Sequence, residues 1–288
     1  DTFNAYETHV ASRARHIYRR FAPAPIRGLL RRAAHALPSD YSKLSFDFVA
    51  KRFTEGTELD VPRAHYHWRH VLDDGEQRRL LRIAPDATRT DGFFSRAFDR
   101  ADFDDDLDRI SLVDLEYFFI GDLMVKNDRT FMASSVEARF PYMDRLLHEH
   151  VARIPASLRM RGLSRRWLQK RAMRGMLPEA IADRSNMGLE MPHSNWFLEG
   201  LRPVLETYLE PKRLARYEWL NAAFVGELWR QHLARERDNG RPLWCILNAM
   251  VWFDLFVHDR SWRGYMRRPS WGDLASRWRH MPPLLDPS

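Results

Sequence analysis

Two cations stand three residues apart in the stretch GDLMVKNDRTFMASSVEARFPYMD, residues 121–144. If the stretch begins as a helix, Lys126 and Arg129 share one face. Together they form a clamp suited to phosphate or another anion. Asp122, four residues before Lys126, could equally neutralise it. Pro141 ends any helix and pushes Phe140 towards extended backbone. Glu137 and Arg139 therefore sit where helix gives way to loop, and loops held on a rigid scaffold are where chemistry concentrates. A Glu–Arg pair that merely locks a helix end uses the same letters. From the residues alone, an anion-handling site and a structural salt-bridge net stay equally open.

Two other clusters carry weaker signals. The acidic run of residues 99–108 (DRADFDDDLD) has carboxylates for a hard cation but lacks the glycine and terminal Glu of a calcium-binding helical loop. Carboxylates at a helix start, where they meet the positive end of the dipole, explain it better. His65, His67 and His70 cluster in AHYHWRH. His67 and His70 could share a metal on one helical face, but no carboxylate of matching spacing stands beside them, so solvated or core-edge histidines are the better reading.

The elements that must position these residues read as helices. Residues 26–37 place Leu29, Leu30, Ala33 and Leu37 on one stripe, after Pro23 and Pro25 and before Pro38. Residues 41–53 repeat the pattern. Asp73 or Asp74 caps a helix holding residues 77–83. Residues 107–119, a segment from about 195 onward, and residues 222–235 and 243–257 complete the series, the last two split by the turn Asp238-Asn239-Gly240. Alternating strand patterns, repeats and low-complexity linkers are absent. The expectation is a mainly α chain.

Composition narrows the class. The chain has 288 residues, is 44% hydrophobic and 30% charged, and carries a formal charge of +7. It is too apolar for disorder and has no run of the ~18 apolar residues a spanning helix needs. No membrane partner is expected. A single cysteine, Cys245, excludes an internal disulfide and a multi-thiolate zinc site. A reducing, cytoplasmic location is the default. Only five of the 46 basic residues are lysines, and the arginines are spread along the chain without a nucleic-acid-binding motif, so nucleic acid is disfavoured. The first residues, Asp1-Thr2-Phe3-Asn4-Ala5-Tyr6, read like the inside of a domain.

Read as a unit, residues 122–144 resemble the signature of the glutamine-hydrolysing asparagine synthetase family, whose typical form is close to DLLVKVDRxSMAxSLEARVPFLD. Three further blocks follow in order. QKRAMRGMLP (residues 169–178) is similar to LLKRAxRGLLP, RSNMGLEMPHSNW (184–196) to RPKQGFGVPxxxW, and RERDNGRPLW (235–244) to RRDHxxRLW. The resemblance spans roughly residues 1–252. It implies the helical C-terminal portion of an α/β pyrophosphatase-loop (adenine nucleotide alpha hydrolase-like) synthetase domain over residues 1–260, followed by a Pro/Arg/Trp-containing tail over 261–288. Ungapped against the family's GGDELFxGY motif, Phe3 and Tyr6 fall on its Phe and Tyr, and Asp1 falls on its Glu, a magnesium ligand. The glutaminase half and the phosphate loop of the same protein would then lie outside the chain, and the isolated chain would be inactive.

The family activates a carboxylate with ATP and magnesium, releases pyrophosphate, and lets glutamine-derived ammonia displace AMP, converting aspartate to asparagine. The resemblance puts Lys126, Asp128 and Arg129 at or beside the nucleotide, with Asp128 orienting Arg129. Glu137 becomes the substrate-orienting or general-base carboxylate facing a chamber, and Arg139 its partner. Arg184 and Asn186 fall at the phosphate position. Two departures stand out. Asn186 replaces a family Lys, removing a charge, and Leu189 and Glu190 replace Phe and Gly. These changes leave a tailoring synthetase acting on another carboxylate, or a non-catalytic relative, as alternatives. A homodimer is possible.

Overall fold

Side-chain caps start several helices. Asp60 accepts from the Arg63 amide, Asp73 and Glu76 form a reciprocal capping box, and Asp105, Asp144 and Asn221 accept from the first turns that follow them. The computed structural model describes residues 2–38, 40–41, 45–82, 90–184 and 191–258. Its first half runs α1 (Glu7–Phe21), α2 (Ala24–His35), α3 (Phe46–Gly56), α4 (Val61–Arg69), α5 (Asp74–Leu80), α6 (Thr90–Arg100) and α7 (Asp106–Val113). A π-helix (Asp114–Met124) joins α7 to α8 (Val125–Met132). The second half runs α9 (Arg145–Ala152), α10 (Ala156–Arg159), α11 (Trp167–Ala172), α12 (Glu179–Ala182), α13 (His193–Leu198), α14 (Arg202–Leu209), α15 (Pro211–Leu214), α16 (Ala222–Leu233) and α17 (Gly240–Phe253). Among the described residues only isolated β-bridges occur, so the chain is mainly α.

Two apolar cores organise these helices. Phe94, Phe98, Leu107, Ile110, Val113 and Met160 form the first, gathering α6, α7 and α10. Phe197, Leu205, Tyr217, Leu228, Leu243 and Met250 belong to the second, gathering α13, α14, α16 and α17. The second core also takes in α5, where the Asn221 amide donates to the Leu80 carbonyl at 2.7 Å and the Arg82 amide to the Trp219 carbonyl at 2.9 Å.

Several local outcomes sharpen the sequence reading. Pro25 does not precede α2 but lies within its first turn, where its missing N–H costs nothing. Asp105 caps α7 and pairs with Arg13 at 2.8 Å, and Asp108 pairs with Arg159, so the acidic run starts a helix as expected. The segment around residues 107–119 does not stay α-helical. It widens into the π-helix at Asp114, and backbone dihedrals at Val113 and Val125 remain helical, so residues 106–132 form one continuous rod. The tail of residues 261–288, the boundary near 260, Asp1, Asn186, Leu189 and Glu190 lie outside the described residues.

Candidate functional site

The rod ends in a tight left-handed turn. The Val136 amide donates to the Phe131 carbonyl at 3.0 Å and Ser135 has φ of 56°, the arrangement that usually takes glycine past a helix end. The chain then runs extended to Phe140, as Pro141 requires, and enters a short 3₁₀ turn, Pro141–Met143. Phe140 folds back edge-on to Phe131, 6.5 Å between ring centres. That contact keeps Glu137 and Arg139 beside the end of α8.

All the signature charges point outward. Lys126, Asp128 and Arg129 are exposed on α8, and Arg129 Nε lies 3.7 Å from Asp128. Arg139 reaches Glu137 at 2.5 Å, and the two side chains are 84% and 68% exposed. The chamber expected around Glu137 is therefore not closed by the described residues. Arg184 is also exposed, and its carbonyl accepts from Lys170 Nζ at 3.2 Å. Ile120, Val125, Phe131, Met132, Val136 and Phe140 are exposed among these charges, a composition typical of a surface made to be covered.

Behind this surface lies a buried polar hub without any local sequence signal. Asp114, the first residue of the π-helix, is fully buried. Its Oδ1 accepts from His65 Nε2 at 2.7 Å; its Oδ2 accepts from His9 Nε2 at 2.9 Å and from Arg69 Nη2 at 2.6 Å. Burial would raise the Asp114 carboxyl, but His65 and Arg69 beside it, with hydrogen bonds from both imidazoles, hold it well below the carboxylate range. Burial likewise lowers His9 to about 4 and depresses His65. The hub is thus one carboxylate, one guanidinium and two neutral imidazoles, a charge-balanced set. His65, grouped with its neighbours as a solvated or core-edge residue, is instead buried in this hub. His67 pairs with Glu55 at 3.1 Å and His70 accepts from Arg52 at 3.0 Å. Among the described residues no His/Cys/Asp/Glu cluster could hold a metal.

The hub connects the opening residues to the signature. Arg69 lies over the rings of Tyr6, at 4.9 Å, and Phe118, at 4.2 Å, which themselves meet edge-on at 5.2 Å. Asn4 donates to Ser111 at 2.8 Å. Further along, Phe3 packs edge-on against Tyr142 at 5.8 Å, and Thr2 hydrogen-bonds with His148 at 2.9 Å. Residues 2–6 are therefore stitched to the chain just before the signature and to its C-terminal end.

Comparison with known proteins gives the family. The Asparagine synthase family model matches residues 2–254. The glutamine-hydrolyzing asparagine synthetase 1 of Bacillus subtilis (strain 168) is 25% identical over 155 residues, 54% of this chain and 24% of that protein. A Mycobacterium bovis relative is 24% identical over 239 residues, 82% of this chain and 35% of that protein. The B. subtilis asparagine synthetase 3 is 28% identical over 95 residues, 33% of this chain and 16% of that protein. The chain thus spans about a third or less of the length of these relatives. No solved structure matches significantly. With a family match over almost its whole length and the family's signature laid against its opening residues, the chain belongs to the asparagine synthase family.

Proposed function

We propose that the full-length protein carrying this chain is an ATP-dependent, AMP-forming amide synthetase, a ligase, and that the described helices supply one wall of its synthetase site. The observation that carries the reading is the stitching of residues 2–6 onto Phe118, just before the signature, and Tyr142, near its end, with Lys126, Arg129, Glu137 and Arg139 left facing outward. A wall of this kind needs its apolar and charged surface covered by the remainder of the synthetase, which the relatives' greater length accommodates.

In this reading Lys126 and Arg129 bind phosphate oxygens, for which an ammonium and a guanidinium on one helical face are suited donors. Glu137 orients the amine nucleophile and takes its proton once Arg139 is drawn to substrate. Asp1, proposed to ligate magnesium, and Asn186, proposed beside Arg184 at the phosphate position, complete the set. A carboxylate oxygen attacks the α-phosphorus of ATP and pyrophosphate leaves. Ammonia, released from glutamine by the glutaminase half, attacks the acyl carbon, AMP leaves, and one proton is lost. The isolated chain holds one wall only and is inactive.

Aspartate is the leading acceptor. A second reading, a tailoring synthetase for another carboxylate, is favoured by Asn186, which replaces a family cation with a neutral amide. Pyrophosphate release by the full-length protein, measured with ATP, magnesium and ammonia across a panel of carboxylic acids, tests both. Release with aspartate supports asparagine formation. Release with another acid alone moves the protein to the second reading. Silence with every acid, together with no heat of ATP–magnesium binding, would mark a non-catalytic relative.

A further inference from the structure

Helix α2 is turned inside out. Its sequence places Ile26, Leu29, Leu30 and Ala33 along one stripe, and an amphipathic surface helix ordinarily buries such a stripe. Here all four are exposed, Leu29 at 67%. The face turned to α3 is the polar one: Arg27 pairs with Glu58 at 2.8 Å and His35 with Glu55 at 3.0 Å, and Ala34 is the only residue of α2 that is buried. The end of α1 also exposes apolar side chains, Ile17 and Phe21, one helical turn apart. The charge along this segment is one-sided in sequence, with Arg13 and Arg27 paired to Asp105 and Glu58 from elsewhere in the chain. Residues 8–39 contain seven arginines and no Asp or Glu. Arg20, Arg31 and Arg32 are exposed beside the apolar stripe.

We propose that α2 and the end of α1 form a docking surface for an anionic lipid bilayer. An in-plane amphipathic helix with leucines sunk below the headgroups and arginines at their level is the arrangement such surfaces bind. Three other occupants fit less well. A second copy would bring the same cations face to face. A nucleic acid would match the arginines but leave Ile26, Leu29 and Leu30 without a partner. Residues 261–288 of this chain are themselves basic, with five arginines against two aspartates, and repel the surface. An anionic bilayer takes both the charge and the apolar stripe. The contact is peripheral and reversible, in keeping with the absence, among the described residues, of any helix long and apolar enough to cross a membrane.

Flotation of the full-length protein with phosphatidylcholine vesicles, with and without phosphatidylglycerol, tests the proposal. The expected result is about tenfold more protein on the anionic vesicles, falling at high salt. Leu29→Glu/Leu30→Glu, at exposed positions that are not among the residues proposed to meet substrate, should abolish flotation while circular dichroism and melting temperature stay unchanged. Arg31→Glu/Arg32→Glu should do the same. Absence of flotation at low salt overturns the proposal and assigns the stripe to the remainder of the full-length protein; flotation that survives the leucine substitutions or is equal on neutral vesicles overturns it too. A dimer dissolved by Leu29→Glu/Leu30→Glu in sedimentation velocity, without vesicle binding, would assign the surface to a second copy instead.

Discussion

His65 donates to Asp114 across 2.7 Å between two residues that are 49 positions apart and fully buried. With His9 and Arg69, the pair ties α1 and α4 to the first turn of the π-helix from which the signature segment grows. The geometry explains why that segment is held at a fixed angle to the opening residues although its own charged side chains are exposed. Removing the carboxylate charge leaves Arg69 without its counter-charge in the interior. Asp114→Asn should cost about 3–5 kcal/mol of stability in chemical denaturation. A loss below about 1 kcal/mol would show that the hub is not what holds these elements together.

The same hub makes stability depend on acid. His9 is lowered to about 4 by burial, and His65 is lowered too. A depressed histidine binds protons more readily in the unfolded chain, so its contribution is complete above pH ~6.5 and is lost as pH falls towards the folded value. Melting temperature should therefore decline between about pH 6.5 and pH 4, before most carboxylates protonate. His9→Asn should flatten that slope, whatever it does to stability at neutral pH. A flat profile in the parent would mean that the imidazoles are already charged when folded.

Ser135 occupies a left-handed position at φ 56° that glycine adopts without strain. Ser135→Gly should raise stability by up to about 1 kcal/mol in urea denaturation. It should leave the turn intact, because the Val136-to-Phe131 hydrogen bond is backbone to backbone. Destabilisation would indicate that the serine hydroxyl has a partner worth more than the strain.

Lys126 stands exposed on α8, one turn before Arg129. If both meet phosphate oxygens, Lys126→Ala in the full-length protein should raise the KM for ATP about tenfold or more while leaving the melting temperature in place. An unchanged KM would return Lys126 to the status of a solvated surface charge.

How much of this was readable from the letters depends on the range over which each feature is encoded. Helix starts are local: Asp73 was read as a cap and the acidic run holding Asp105 as a helix start, while the Asn221 cap, equally local, went unread. The extended backbone at Phe140 followed from Pro141 alone. The signature, a contiguous string, led to the family. What escaped is what depends on partners far apart in the chain. Nothing in the spacing of His9, His65, Arg69 and Asp114 announces that they converge. His65 sat in a histidine-rich string that suggested a surface cluster. Residues 107–119 have apolar spacing compatible with an α-helix, and the switch to π geometry at Asp114 leaves no mark in that period. The stripe of α2 was drawn rightly at Leu29, Leu30 and Ala33, while Leu37 falls past the helix end, and periodicity says which residues share a face and not which way the face turns. Glu137 could be identified from its motif, whereas its exposure depends on what covers the signature.

The central claim is that Glu137 works on substrate at a wall built by these helices. Its most direct measurement compares steady-state amide formation by the full-length protein and its Glu137→Gln variant, with ATP-dependent pyrophosphate release followed in parallel. The expected outcome is a loss of about a hundredfold or more in kcat with an unchanged melting temperature, since among the described residues the exposed carboxylate is paired with Arg139 alone. A variant that forms amide as fast as its parent would contradict the claim.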